Sequence, residues 1–392
     1  MIERVAARGE GVTASGRFVA LTAPGDSILT DGTIVPGPHH VDPPCRHFPE
    51  CGGCQLQHLD DMSYADFLSE RILWALAAQG IGAPELLAAH ISPPYSRRRA
   101  ALSVERQGNR VLAGFKAEAS HRTIDMQECL ILRPELFALV EPLRRLLAAL
   151  LPKKRGATAR MTLADQGADL LIEGVRADDL ASIEALTGFA ATHGLARLSI
   201  DDGIGPQTQW EPEPVTITLG KLAVTLPHNA FLQATCEGEA ALVAGVREAV
   251  DGASAVADLF AGLGTFGLAL DAQVLAAEGS RDAVLALKTA ANRAQLPLAV
   301  EHRDLYRRPL DESELTRFNA VVVDPPRAGA KEQAMLLARS NVPAIAYVSC
   351  NPVTFARDAK LLIDGGYNIR WIRPVGQFRW STHVELVASL TR

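Results

Sequence analysis

Cys350 stands where an apolar run gives way to a helix start, in Ala344-Ile-Ala-Tyr-Val-Ser-Cys-Asn-Pro352. The run Ile345 to Val348 reads as a short buried strand. Asn351 can cap a following helix, and Pro352 suits its first turn. That helix should run from Val353 to about Ile363 and stop at Gly365-Gly366. A thiol at a strand's carboxyl end and before a helix amino terminus meets free N–H groups and a helix dipole that favour thiolate. The stretch fits a nucleophile, and it also fits a buried structural cysteine.

A second group of residues suits a nucleotide-like ligand. Asp258-Leu-Phe-Ala-Gly-Leu-Gly-Thr-Phe-Gly267 follows a strand and is expected to open a helix. Gly262, Gly264 and Gly267 match G-x-G-x-x-G, and Glu278 ends the next strand, where an acid can accept from ribose hydroxyls. A dinucleotide and S-adenosylmethionine both fit. Asp258 suits the second better, because a carboxylate there repels a pyrophosphate and attracts an amino group. Asp324, in Asp324-Pro-Pro-Arg327, follows an Ala-Val-Val-Val strand and should face the same crevice. Asp304 ends the third strand and could take an adenine amino group. A helix cap for Asp324 and a surface charge for Asp304 are the structural alternatives.

The third group is Cys45, Cys51, Cys54 and Cys129. Four thiolates suit zinc or an iron–sulfur cluster. Zinc knuckles pair two C-x2-C units, whereas this chain has one pair and two singles, which favours iron and sulfide. Cys236 has no partner in this scheme and is expected in the core.

The elements that must position these residues change character at Glu237. Beyond it, strands at 255–259, 273–277, 299–302, 320–323 and 344–348 alternate with helices, the pattern of a doubly wound parallel sheet in an α/β fold. A last strand, Val384 to Leu390, carries Glu385, which by position alone is a strand-edge acid. Upstream, 157–226 reads as α+β, Glu135 to Leu151 as one leucine-rich helix, and Tyr64 to Gln79 as another. Residues 1–44 form a small β unit punctuated by glycine turns. Three divisions are expected: 1–44, a 45–230 region holding the cysteines, and 231–392.

Overall composition limits the classes available. The chain has 392 residues, is 48% hydrophobic and 21% charged, and carries a net charge of −6, so any grip on nucleic acid must be local. Between Ile91 and Arg122 seven Arg or Lys face two Glu. Arg97-Arg98-Arg99 and Lys153-Lys-Arg155 could hold phosphates or be ordinary solvated charges. No apolar run is long enough for a membrane span. The start, Met1-Ile-Glu-Arg, lacks a secretory signature, so a reducing cytoplasm is expected.

Taken together, the four-cysteine pattern, Phe231-Leu-Gln233, Asp258-Leu-Phe-x-Gly-x-Gly, Asp324-Pro-Pro-Arg-Ala-Gly, Val348-Ser-Cys-Asn-Pro and His383-Val-Glu385 resemble the RNA 5-methyluridine (uracil-C5) methyltransferase family, in its iron–sulfur-containing branch. The resemblance covers most of the chain. It implies a class I, Rossmann-like methyltransferase domain after an α+β RNA-binding region and a TRAM-like β unit. It implies S-adenosylmethionine contacts at Gln233, Phe260, Thr265, Glu278 and Asp324, with Asp304 a further candidate. It implies a [4Fe-4S] cluster at Cys45, Cys51, Cys54 and Cys129, with Cys350 as nucleophile and Glu385 as base. Only 44 residues precede Cys45, so a shortened TRAM-like barrel is expected. Ala261 and Thr265 stand where the family often has Cys and Asn. The implied substrate is RNA, with 23S ribosomal RNA favoured, transfer RNA as the alternative, and a monomer acting on it. An iron–sulfur oxidoreductase using a dinucleotide at Gly262–Gly267 is the competing reading, and it leaves Asp324-Pro-Pro-Arg and Cys350-Asn-Pro unexplained.

Overall fold

Five parallel strands form one side of an eight-stranded sheet in the computed structural model, which describes residues 1–152 and 155–392. In spatial order the strands are Leu298–His302, Gln273–Glu278, Ala255–Leu259, Ala320–Val323, Ala344–Ser349, Glu385–Thr391, Asn368–Gly376 and His90–Ile91. The first five are parallel, and Glu385–Thr391 runs antiparallel to both of its neighbours. All four residues of Ala320–Val323 are buried, as a parallel strand covered on both faces requires. The strand order reverses at Ala255–Leu259, so a crevice opens at the carboxyl ends of that strand and Ala320–Val323.

Pro352–Asp364 forms the expected helix, with Asn351 Oδ1 accepting from the Val353 N–H at 3.1 Å and Pro352 in the first turn. The stretch after the glycines departs from expectation. Gly267–Ala269 is a single 3-10 turn, and no α-helix follows the first strand before Gln273–Glu278. Gly267 cannot carry a side chain, because a Cβ would stand 2.8 Å from Asp258 Oδ2.

The chain divides into two compact units, where three contiguous divisions were expected. One comprises Met1–Ser63, Pro93–Ile217 and Arg379–Thr382; the other comprises Tyr64–Ser92, Thr218–Phe378 and His383–Arg392. In the first unit, a six-stranded sheet runs Gln207–Trp210, Arg197–Asp201, Gly167–Glu173, Gly156–Ala164, Arg99–Gln107, Arg110–Gly114. Its core joins Leu102, Val104, Met161 and Leu170 to Leu143 and Leu147 of helix Val140–Leu150 and Leu186 of helix Leu180–Thr192. The helix expected over 135–151 breaks in two, Pro134–Phe137 and Val140–Leu150, where the Leu139 N–H turns back to Leu136 O. Charged residues at both ends hid the strand Arg197–Asp201 from a pattern-based reading. Arg197 is only 4% exposed and forms a bidentate pair with Asp169 at 2.9 and 2.7 Å. The first 35 residues hold five short strands, in sheets of three and two.

The expected basic grip is largely engaged by partners within the unit. Arg98 is 4% exposed, and Arg97 Nε donates to Arg99 O at 3.0 Å. Arg110 pairs with Asp125, Lys116 with Glu105 and Arg122 with Glu50. Lys153 and Lys154 lie outside the described residues.

Helix Pro352–Asp364 also anchors the loop after Asp324. Asp358, wholly buried, accepts from the Ala330 N–H at 2.7 Å, the Tyr347 hydroxyl at 2.6 Å and Arg357 Nε at 2.8 Å. Asp358→Ala would strand three donors, at a cost of about 3 kcal/mol or more. Differential scanning calorimetry should show the transition of this unit falling by roughly 6–12 °C.

Candidate active site

The register of the sheet brings the candidate residues to one edge. Leu259 pairs with Ala277 on one side and with Val323 on the other. The next position along each strand therefore sets Phe260 between Glu278 and Asp324. Ser349 pairs with Leu386, so the next antiparallel position sets Cys350 across from Glu385. Residues directly opposite in an antiparallel ladder share a face. The thiol and the carboxylate thus meet at the carboxyl edge, beside the row formed by Glu278, Phe260 and Asp324.

Each side chain has a local anchor. Glu278 accepts from the Gly262 N–H at 2.8 Å and from the Ser280 N–H at 2.7 Å, so it shapes the glycine loop it faces. Phe260 takes φ +62°, uncommon for a side chain of its size, and its ring lies 5.4 Å from that of Tyr306. Tyr306 donates to Gly329 O at 3.1 Å, which links the end of the third strand to the Asp324 loop. Asp324 is held by its own N–H, donated to Leu259 O at 3.2 Å. Thr265 is half-buried on the glycine loop. Gln233 is 3% exposed and accepts from Gln377 Nε2 at 2.7 Å. Asp304 is less available than expected. Its carboxylate accepts from the Tyr306 N–H at 3.0 Å and the Arg307 N–H at 3.3 Å, capping its own turn.

Electrostatically the edge is overloaded with negative charge. Burial pushes the Asp324 carboxyl well above its ordinary range, and Glu385, Asp258 and Glu278 push it further. Asp258, wholly buried, is pushed up to about 7 by burial, opposed by the Gly267 N–H and aided by Glu278. Its Oδ1 has no hydrogen-bond partner among the described residues. The Cys350 thiol, half-buried, is pushed up to about 11 by burial and then by Glu385 and Asp324, with Arg327 pulling it down. This corrects the expectation of a dipole-favoured thiolate: desolvation and two nearby carboxylates outweigh the helix terminus.

The four cysteines of the first unit line one cavity with Phe115, Met126 and Ile131. Among the described residues no three His, Cys, Asp or Glu side chains are grouped to share one metal ion. Burial pushes Cys54 up to about 12, with Gln57 opposing and the other three cysteines adding to the rise. Cys236, expected in the core, is exposed at the first position of helix Cys236–Ala249.

Gln377, Asp358 and Tyr306 were not visible as site residues in the sequence. Each acts by reaching a residue far away in the chain, and no local spacing marks that.

Comparison with known proteins places this geometry. A family model described as tRNA (Uracil-5-)-methyltransferase matches residues 212–392. An RNA methyltransferase of Zymomonas mobilis is 52% identical over all of this chain and 99% of its own length. A 23S rRNA (uracil(1939)-C(5))-methyltransferase of Halomonas elongata is 32% identical over 92% of this chain and 78% of its own. The solved structure of Pyrococcus abyssi tRNA (uracil-54, C5)-methyltransferase with S-adenosyl-L-homocysteine aligns over 100% of this chain and 99% of its own, with TM-score 0.77. At 22% identity that likeness is one of fold, and it matches the class I methyltransferase sheet described above. The dinucleotide oxidoreductase reading fails on these relatives. It also fails on the missing helix, since a pyrophosphate is held at a helix amino terminus and only a 3-10 turn follows these glycines. By sequence, fold and the arrangement of its carboxyl edge, the chain belongs to the RNA uracil-C5 methyltransferase family.

Proposed function

We propose that the protein methylates C5 of a uridine in 23S ribosomal RNA through a covalent bond between Cys350 and C6. The observation that carries this reading is the register that brings Cys350 and Glu385 to the same end of two adjacent strands, at the edge shared with the glycine loop. The named ribosomal activity of the Halomonas relative supports the choice of RNA. S-adenosylmethionine, when bound at the glycine loop, supplies an electrophilic methyl group. The orphaned Asp258 Oδ1 and the surrounding carboxylates suit its ammonium and sulfonium charges. Gln233, Phe260, Thr265, Glu278 and Asp324 would hold it, with Asp304 at the rim.

The Cys350 thiolate, formed as the thiol proton passes to solvent, adds to C6 of the uracil, and the C5–C6 π electrons move towards O4 as an enolate. The electron-rich C5 would take the methyl group from a donor held at the glycine loop, the donor's carbon–sulfur bond breaking and its sulfur leaving as a neutral thioether. Glu385 removes the C5 proton, the C5–C6 double bond re-forms, and the Cys350 thiolate leaves. The base must be unstacked to reach the thiol, so the target is a loop or flipped nucleotide.

In the other unit, Cys45, Cys51, Cys54 and Cys129 would hold a [4Fe-4S] cluster that ties residues 45–54 to Cys129. A four-iron cube takes a thiolate at each corner, so its ligands surround a volume instead of one ion. The cavity they line supports that arrangement. Four thiols that desolvation makes harder to ionise also fit a site whose charge a cation must balance. A reducing cytoplasm is the compartment that would keep these thiols and Cys350 available, and we assign the protein there as a monomer.

Cys350→Ala should abolish the covalent adduct with RNA carrying 5-fluorouridine, read on denaturing gels. An adduct surviving in that variant would remove the nucleophile assignment, and 5-methyluridine found only in transfer RNA would redirect the substrate.

With no cofactor, the raised thiol pKa leaves roughly one Cys350 in a thousand ionised at pH 8. Its iodoacetamide rate, followed by peptide mass mapping, should rise about tenfold per pH unit up to about 11. Glu385→Gln removes a carboxylate that disfavours the thiolate and should speed alkylation about three- to tenfold at pH 8. Anaerobic preparations should carry iron and sulfide with absorbance near ~400 nm. A colourless, zinc-loaded protein would rule the cluster out.

A further inference from the structure

We infer that Gln377 is a positioning residue for Glu385: its carboxamide aims the carboxylate that takes the C5 proton. The inference rests on the proposed role of Glu385.

Gln377 follows the strand Asn368–Gly376 and is 2% exposed. Its Oε1 accepts from the Ala234 N–H at 2.7 Å and from the Thr235 N–H at 3.4 Å. Two backbone donors cannot face an NH2 group, so chemistry settles which way this amide points. Nε2 must then turn to the other side. There it donates to Gln233 Oε1 at 2.7 Å and to Glu385 Oε2. Both hydrogens of the amide nitrogen are engaged.

The amide has no room to turn. A Cβ at Gly238 would stand 2.6 Å from Gln377 Cβ, so the first turn of helix Cys236–Ala249 closes directly over it. The Gly238 N–H is in turn held by Thr235 Oγ1 at 3.0 Å, and Thr235 Oγ1 lies 2.7 Å from Ser92 Oγ. A rigid backbone segment, 234–235, thereby sets the direction of a carboxylate on a different strand. Glu385 is 4% exposed and shares its surroundings with Asp324 and Cys350. The Nε2 N–H fixes where the Glu385 oxygen points among these neighbours.

A positioning role predicts a defect confined to the step after methyl transfer. Gln377→Met keeps the length of the side chain and removes its donors. On the 5-fluorouridine form of the transcript that the wild type methylates, no C5 proton is present and base action is never reached. Adduct formation by Gln377→Met there should stay within about threefold of wild type. On the uridine form, release of methylated RNA should slow roughly 10- to 100-fold, and adduct should accumulate on denaturing gels. S-adenosylmethionine affinity, measured by calorimetry, separates any effect relayed through Gln233. Equal slowing of both reactions, or no slowing of release, would overturn the inference. Should Gln377→Met fail to fold, Gln377→Asn keeps an amide too short to span both partners and should show the same selective defect. Glu385→Gln provides the control. If it does not trap adduct on uridine RNA, the base assignment itself is lost. If it does while neither Gln377 variant does, only the positioning role falls.

Discussion

The ladder between Ala344–Ser349 and Glu385–Thr391 is the constraint on which the site depends. These strands are antiparallel, so the position after Ser349 and the position before Leu386 face each other at the same end. A thiol and a carboxylate separated by 35 positions in sequence thereby meet with no loop between them to drift. A parallel pairing at this place would send the carboxylate's strand end to the other side of the sheet. The single reversed strand is what puts both residues beside the cofactor crevice. The buried apolar strand interiors, Ile345 to Val348 and Leu386 to Ala388, hold the register, because a slip by one residue would turn every side chain to the wrong face.

That edge gathers more negative charge than it can stabilise alone. Asp258, Glu278, Asp324 and Glu385 all bear on one another or on Cys350, and the thiol is harder to ionise as a result. A site of this kind is built for a cationic occupant. The carboxylates that would cradle a sulfonium and an ammonium are the same ones that make the Cys350 thiol harder to ionise. Under the proposed mechanism, neutralisation by the cofactor and activation of the thiol would be two consequences of one charge balance.

The other unit follows a different logic. Its local excess of arginine and lysine is spent on internal ion pairs, as with Arg110 and Asp125 or Arg122 and Glu50. A count of charges along a strand pair cannot tell a phosphate grip from cross-links between adjacent segments. Here the partners came from residues 15 and 72 positions away. The four cysteines, by contrast, were picked out as a set by their spacing, and they line one cavity.

Strand and helix placement in the methyltransferase unit was legible from the chain alone. Ala255–Leu259, Ala320–Val323 and Pro352–Asp364 follow from buried apolar runs, glycine stops and an Asn-Pro cap, all local signals. Cys350, Asp324 and the glycine loop were singled out by the same kind of local signal. Tertiary structure alone decided the state of those residues: the thiol's raised pKa, the capping use of Asp304, the exposure of Cys236, and the absence of a helix after Gly267. It alone revealed Gln377, whose amide joins residues 233–235 to Glu385. The reason is physical. Periodicity and capping are short-range and leave their mark in adjacent residues, whereas desolvation and hydrogen bonding between distant segments exist only once the chain has closed on itself.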